Sequence, residues 1–215
     1  MKRLSMHTLL LLGVTLGALT VAGCAGKGET RRLDLHTETP AAQSADAEPV
    51  NIVIEPFEDR RLEQSRIGMR SHLWGGVTYF NVVGDKPGEA IAKELVDRLK
   101  TRGWRDRAWN VRFSPAGAAT NADIIIGGQV QELSANAKSR VFSTVIDTNC
   151  RFSIQARNLA DKSTTMRTVE GAQSRTVFWF NEDDVQELLA TTLKEELDRF
   201  VADTMIEQKA LRMAR

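Results

Sequence analysis

The chain has 215 residues, of which 42% are hydrophobic, and it carries 29 lysines and arginines against 28 aspartates and glutamates. This length suits one domain of common size with short terminal segments. The near balance of charge gives the protein no general attraction to phosphate backbones, so we expect no nucleic-acid partner.

The N-terminus has the plan of a secretory signal. Lys2 and Arg3 form a short positive region, and a run of apolar and small residues extends from Leu9 to Ala22. This run is too short to cross a bilayer comfortably, because spanning takes about 20 apolar residues. We predict that residues 1–23 are a signal peptide. The alternatives are an ordinary secretory signal without lipid attachment and an uncleaved apolar anchor.

The signal ends in the stretch Val21-Ala22-Gly23-Cys24, which resembles the lipobox of bacterial lipoproteins. The resemblance implies cleavage before Cys24 and attachment of acyl chains such as palmitate to that residue. Two or more acyl chains hold a protein durably at a membrane, whereas one chain gives only reversible attachment. Because Ala25 follows the cysteine where inner-membrane lipoproteins often carry Asp, the resemblance also implies the periplasmic face of the outer membrane. The inner membrane is the alternative.

Residues 24–49 follow the signal and show no apolar periodicity. Such a segment cannot bury enough surface to offset the entropy lost on ordering. We therefore predict a lipidated Cys24 and a flexible tether over this range. The alternative is an ordered arm that packs on the domain through Leu33 and Leu35.

The second cysteine of the chain is Cys150. If Cys24 carries lipid, Cys150 has no partner for an intramolecular disulfide. An exposed free thiol is a liability in an oxidising compartment, so we expect Cys150 to be buried as a small hydrophobe.

A single domain is predicted over residues 50–206. It opens with an alternating strand that contains Val50, Ile52 and Ile54. A long irregular passage then runs through Trp74, and loops of this length are uncommon unless they have a function or are disordered. A second extended segment is predicted to begin at Val77.

The first helix is predicted to begin near Pro87, a residue favoured in the first turn of helices. Ile91, Leu95 and Leu99 lie on one stripe of this helix, and Gly103 is placed to end it. We expect an amphipathic helix with one buried face.

The stretch from Ala122 to Phe180 is rich in strand signals. A run of three isoleucines before Gly127 and Gly128 favours a central strand, and glycine within a strand indicates close backbone packing. Strict alternation follows around Cys150, and the next strands are predicted to pair as a hairpin.

Asn181 is a good helix N-cap, with Asp184 three residues later, and an apolar stripe then extends to about Met205. Residues 207–215 are predicted to be a polar tail that frays. Two amphipathic helices against one mainly antiparallel sheet predict an α+β fold.

Several stretches together resemble the YajG-type family of bacterial lipoproteins. More loosely, the order of elements is similar to CsgG and TolB N-terminal domains and to auxiliary lipoproteins of lipid-trafficking transporters. The resemblance implies an envelope lipoprotein and leaves its biochemical role open. The stretches that carry it are the lipobox, Glu55-Pro56-Phe57-Glu58-Asp59-Arg60-Arg61, Ile67-Gly68, Arg102-Gly103-Trp104, Ala122-Asp123-Ile124 and the closing helix.

The sequence favours a protein that is not an enzyme and has no metal or cofactor. A hydrolase would have to use His72, the one histidine of the predicted domain, and a zinc site needs several His or Cys ligands. Carboxylates could do acid-base work at Glu58 and Asp59 or at residues 182–184, but ion pairing and helix-dipole contacts explain them more simply. We therefore predict no catalytic, cofactor or metal residue.

A mixture of aromatic and basic side chains in the long loop is typical of protein interfaces. We predict an interaction loop containing Asp59, Arg60, Arg61 and Trp74, although the loop aromatics could instead pack on the sheet. The leading hypothesis is a lipid-anchored, non-enzymatic binding or assembly module that docks an envelope protein or forms a homo-oligomer by sheet-edge pairing. The alternative is an accessory lipoprotein for envelope lipid transport, with a small apolar ligand pocket.

Overall fold

The computed structural model describes residues 27–36, 48–102, 109–115, 117–118 and 121–214. The predicted signal peptide and the predicted lipidation site Cys24 lie outside these residues. Across the described ranges, none of the helices combines the length and the apolar character needed to cross a bilayer.

The described elements comprise strands, two α-helices and a short 3-10 turn at Val83–Asp85. In chain order they are β1 (Lys27–Leu33), β2 (Glu48–Ile54), β3 (Glu58–Asp59), β4 (Gly68–Ser71), β5 (Val77–Val82), α1 (Pro87–Arg102), β6 (Trp109–Phe113), β7 (Ile124–Arg140), β8 (Ser143–Asn158), β9 (Thr164–Val177), α2 (Glu182–Ala202), β10 (Thr204–Glu207) and β11 (Ala210–Met213).

The long strands β7 and β8 form the centre of one sheet. They pair antiparallel along their length, and β9 pairs antiparallel with β8 on its other side. The opposite edge of β7 pairs in turn with β2, β3 and β4, and all three run parallel to it. β6 lies parallel to β2, β5 lies antiparallel to β4, and β1 lies parallel to β5.

The prediction of a mainly antiparallel sheet is therefore corrected to a mixed sheet. The chain between Glu48 and Ser71 runs in one direction along the edge of β7, as three short strands joined by loops. The crossover that parallel β2 and β6 require contains α1, because parallel neighbours cannot be joined by a tight turn. The α+β class itself is correct, with both helices contacting the sheet.

Both helices bury the side chains that the apolar stripes indicated. In α1 these include Ile91, Leu95 and Leu99, which join the same core as the buried face of β8. The N-cap of α2 is Asn181, and its backbone N–H donates to the Asp184 carboxylate. The buried face of α2 is not wholly apolar, because it also carries Thr192 and Glu196.

The segment predicted as a flexible tether contains ordered structure. β1 pairs with β5, and Leu33 and Leu35 are only 2% and 3% exposed. The described part of this range is therefore the ordered arm that we gave as the alternative. Its core contact rests on two leucines, since the other residues of β1 from Gly28 to Arg32 are exposed.

The predicted polar tail also forms structure. β10 and β11 pair as an antiparallel hairpin, and Ala210 and Leu211 are buried. The Asn158 side chain holds this hairpin, because it accepts from the Leu211 backbone N–H at 2.8 Å and donates to the Leu211 carbonyl at 3.2 Å. The prediction of a fraying tail is wrong for the described residues 207–214.

Cys150 lies in the core beneath the helices, as its expected role as a small hydrophobe requires. Burial, with a smaller contribution from the charge of Glu196, raises the pKa of the Cys150 thiol to about 12. We expect no reaction of Cys150 with iodoacetamide in the folded protein at mildly alkaline pH, because the reactive species is the thiolate. Mass spectrometry should show modification only after unfolding. Labelling of the folded protein at the rate of an exposed thiol would contradict this placement.

Candidate functional site

The structure divides the predicted interaction loop into a buried clamp and an exposed turn. Arg61 is only 6% exposed, and its Nε and Nη2 donate to the two carboxylate oxygens of Asp59 at 2.9 and 2.8 Å. Its Nη1 donates to the backbone oxygen of Arg66 at 3.0 Å and approaches that of Leu133 at 3.5 Å. This pair fixes the loop on β7 and is not available as a docking surface.

The other two predicted residues of the loop are exposed and lie far apart. Arg60 pairs with Glu58 at 2.7 Å on the surface, and its backbone N–H donates to the carbonyl of Val130 in β7. Trp74 lies in the turn after β4, and the end of β4 pairs with Ala137 and Lys138 of β7. Roughly 20 Å of strand separates these two positions, so the four predicted residues do not form one surface.

Four exposed aromatic side chains meet instead at one end of the sheet. Trp74, Phe142, Phe178 and Trp179 are 85%, 87%, 81% and 92% exposed. They come from three loops, namely the β4–β5 turn, the β7–β8 turn and the β9–α2 connection. All four line one open cleft of about 330 Å³. We call these four residues the aromatic tip.

The strand register explains why these distant residues meet. Ser71, at the end of β4, faces Val77 of β5 on one side and Lys138 of β7 on the other. The β7–β8 hairpin closes at Arg140, and Val177 ends β9 opposite the first residues of β8. All three loops therefore leave the sheet at the same end.

The side chains beneath the tip are held in place. The Arg70 guanidinium carbon lies 3.8 Å from the centroid of the Phe180 ring, and Arg70 Nε donates to Ser139 Oγ at 3.0 Å. A cation over an aromatic face is attracted by the ring, so Arg70 fixes the end of the β9–α2 connection, next to the N-cap Asn181. Phe180 is itself packed against the core. The exposed aromatics thus project from a fixed base.

The aromatic residues at the tip are neither buried in the core nor favoured by the backbone conformation of the turns. Phe142 is exposed and has a φ of 149°, a region that residues other than glycine rarely adopt. Gly75 and Gly76 have φ values of 89° and 85°, which the β4–β5 turn requires and which present Trp74 outward. Strained or special backbone at an exposed apolar residue points to a role in binding.

His72 lies beside the tip in a polar chain. Its Nε2 is 2.8 Å from Thr78 Oγ1, and that hydroxyl donates to Glu29 Oε1 at 3.0 Å. Because the hydroxyl has one proton, His72 Nε2 must donate to it and cannot act there as a base. Partial burial and the charge of Arg70 lower the pKa of His72, which favours the neutral ring. This arrangement gives no support to the hydrolase that we considered.

A second polar cluster joins the N-terminal arm to α1. His36 Nδ1 lies 3.3 Å from Asp97 Oδ2 and 3.9 Å from Glu94 Oε2. The Glu94 carboxylate also lies 3.3 Å from Arg98 Nε, in a pair that is almost fully buried. The sequence placed His36 in a tether, so it could not predict this contact. The Glu94 carboxylate therefore has a partner within α1, and the arm brings His36 to the same place.

One run in the sequence does indicate exposed aromatics at the tip. Phe178, Trp179 and Phe180 are consecutive, and a strand cannot turn three consecutive side chains to the same face. At least one of them had to leave the core. Phe142 gave no such signal, because it falls within a stretch predicted as strand.

No protein-family model matches this chain, and no curated protein matches it. Among solved structures, a Xanthomonas campestris protein of the DUF330 family has a TM-score of 0.50 at 8% identity, covering 81% of this chain and 93% of that protein. A neuraminyllactose-binding hemagglutinin homologue from Helicobacter pylori has a TM-score of 0.48 at 8% identity, covering 83% and 94%. The PelC dodecamer from Paraburkholderia phytofirmans has a TM-score of 0.40 at 13% identity, covering 73% and 92%.

The likeness to the Xanthomonas protein shows that this fold occurs in another bacterial protein. We infer nothing from the other two likenesses, because their TM-scores lie below 0.5. Membership of the YajG-type family is not shown and stays a prediction.

Proposed function

We propose that the protein is a lipid-anchored envelope lipoprotein that acts as a non-enzymatic binding module, with the aromatic tip as its binding surface. The observation that carries this proposal is the meeting of four exposed aromatic side chains from three separate loops. Single exposed apolar residues are common on proteins, but a contiguous exposed apolar patch marks an interaction site. Tryptophan is also prominent among the residues that dominate binding energy.

The location belongs to the same proposal. Acyl chains on Cys24 would attach the protein to a membrane, and Ala25 favours the periplasmic face of the outer membrane. Both statements rest on the lipobox resemblance in the sequence.

A second surface supports the assembly part of the hypothesis. Among the described residues β9 pairs with no strand other than β8, so the other edge of this 14-residue strand has no partner strand. The strand contains no proline. An edge of this length is a template for pairing with another chain, so it offers a route to a homo-oligomer.

The geometry favours the tip over the apolar pocket of the lipid-transport alternative. The side chains between the sheet and the helices form one packed cluster. The cleft beside the N-terminal arm, of about 360 Å³, is lined by apolar residues such as Leu33 and Leu35, but it is open to solvent and its lining also includes Lys86, Glu89 and Lys93. A site for an acyl chain is expected to be enclosed.

Site-specific photocrosslinking in intact cells tests the binding surface. A photoreactive amino acid at Phe178 should give a discrete adduct, and combining it with Trp74→Ser and Trp179→Ser should abolish that adduct. The control position is Leu62, which is also a fully exposed apolar residue but lies in the loop after β3, away from the tip. Equal adducts at both positions, or adducts that survive the two serine substitutions, would contradict the proposal.

A further inference from the structure

The N-terminal arm enters the fold at the aromatic tip. β1 runs parallel to β5, and the first residue pair of the two strands joins Lys27 to Val77. Val77 directly follows Gly76, which belongs to the turn that presents Trp74. The N-terminal end of β1 and the tip therefore lie at the same end of the sheet.

The pairing of β1 fixes how far the tip can move from the predicted anchor. The sequence predicted a tether over residues 24–49, which would allow the domain many orientations. With β1 on the sheet, only three peptide units join Cys24 to Lys27, a span of about 10 Å when fully extended. A lipid on Cys24 would thus hold this end of the sheet at the headgroups.

We propose that the aromatic tip inserts into the bilayer leaflet that carries the lipid of Cys24. This inference rests on the proposed function and names the partner of the same surface. The tip is the only group of exposed aromatic side chains in the described part of the chain, and it is the group that the anchor brings to the membrane.

The chemistry of the tip suits the membrane interface. Tryptophan prefers the headgroup level, where its ring meets acyl chains and its N–H meets water, and phenylalanine enters the apolar layer. Two exposed basic residues, Lys138 and Arg140, lie at the end of β7 nearest the tip. Three acidic residues begin α2 at this end. Glu182 pairs with Arg31 at 3.0 Å, and Asp183 and Asp184 accept hydrogen bonds from the N-cap Asn181. Three separate loops can each enter a fluid interface without a partner of matching shape.

The anchor also removes the need for strong insertion. Once Cys24 is held in the leaflet, insertion of the tip becomes an intramolecular event at high effective concentration. A few interfacial aromatics are then enough to fix the orientation of the domain. In this orientation β7 and β8 run away from the membrane, and the unpaired edge of β9 faces sideways, where neighbouring copies could pair with it.

Quenching of tryptophan fluorescence by brominated lipids tests this inference, because bromine quenches only on contact. The lipidated full-length protein would be reconstituted into vesicles of phosphatidylethanolamine and phosphatidylglycerol, with and without brominated acyl chains. We expect quenching in the native protein and its loss when Trp74→Phe and Trp179→Phe are combined. Phenylalanine preserves the apolar tip. Trp104→Phe would be introduced into every protein compared, so that Trp109 is the one other tryptophan and serves as a buried reference.

Leu62→Trp in the doubly substituted background is the matched control. It places an exposed indole outside the tip, so quenching should not return. Equal emission with and without bromine in the native protein, or equal quenching through Leu62→Trp, overturns the bilayer inference. If the bilayer inference fails in this way but the photoreactive amino acid at Phe178 crosslinks to a protein, the tip is still a binding surface. Absence of both the quenching and any tip-dependent adduct overturns both proposals.

Discussion

Arg61→Ala should lower the free energy of unfolding by about 3 kcal/mol, because it removes one partner of a largely buried ion pair. The substitution leaves the Asp59 carboxylate without its bidentate donor and withdraws a donor from the carbonyl of Arg66. Arg60→Ala is the control, because Arg60 forms an exposed pair with Glu58. Exposed pairs contribute about 1 kcal/mol or less. Urea unfolding of the detergent-solubilised full-length protein measures both values.

The effect should also depend on pH. Burial raises the pKa of Asp59, but the hydrogen bonds and charge of Arg61 outweigh it, so the pKa lies below its ordinary value. A carboxyl whose pKa is lower in the folded state stabilises the fold above the unfolded pKa, and this contribution is lost as the pH falls through the folded pKa. The difference between native protein and Arg61→Ala should therefore shrink below about pH 4. Equal effects of the two alanine substitutions would contradict the clamp.

The sequence predicts the elements of this fold better than their arrangement. The stripe of Ile91, Leu95 and Leu99 and the N-cap Asn181 located both helices, because helical period and capping are local properties. Alternation in a strand shows which face is buried, but it does not show the direction of the neighbouring strand. The local sequence pattern therefore could not predict that β2, β3 and β4 run parallel to β7.

Terminal segments were misjudged for a related reason. Most residues of β1 are polar. The strand is held on the sheet by its pairing with β5 and by burial of Leu33, together with Leu35 just after the strand. β11 similarly depends on Leu211 and on an amide supplied by Asn158, which is 53 residues away in the chain. The composition of a segment indicates how much apolar surface it can bury. It does not show whether another part of the fold offers an unpaired strand edge with which the segment can form hydrogen bonds.

The candidate site shows the same limit and has a consequence for function. Trp74, Phe142 and Phe178 are separated by long stretches of chain and meet only through the register of five strands. A local search selected Asp59 and Arg61, which form a structural clamp. The same register also brings the start of β1 to the tip. The predicted anchor and the exposed aromatics are thus linked by the topology of the sheet.

Gly128→Ala should lower the free energy of unfolding by about 3 kcal/mol, whereas Gly127→Ala should change it by no more than about 0.5 kcal/mol. A methyl group on Gly128 would collide with the backbone oxygen of Ser153 and lie 3.0 Å from two ring carbons of Phe57. Carbonyl oxygens in a paired strand cannot withdraw without breaking the ladder, so the clash must separate β7 from β8. The neighbouring Gly127 has nothing within 4 Å of the added carbon.

The two glycines are adjacent in one strand, so both substitutions remove the same backbone freedom from the unfolded chain. Their difference therefore isolates the close approach of β8 and Phe57 to Gly128. Phe57 also packs against Phe152, with ring centroids 6.2 Å apart, so displacement of its ring would disturb the core beneath α1 and α2. Urea unfolding monitored by circular dichroism measures the pair. If Gly127→Ala were the more damaging change, the register of β7 against β8 would be wrong by one residue, and the common end of the three tip loops would have to be reassigned.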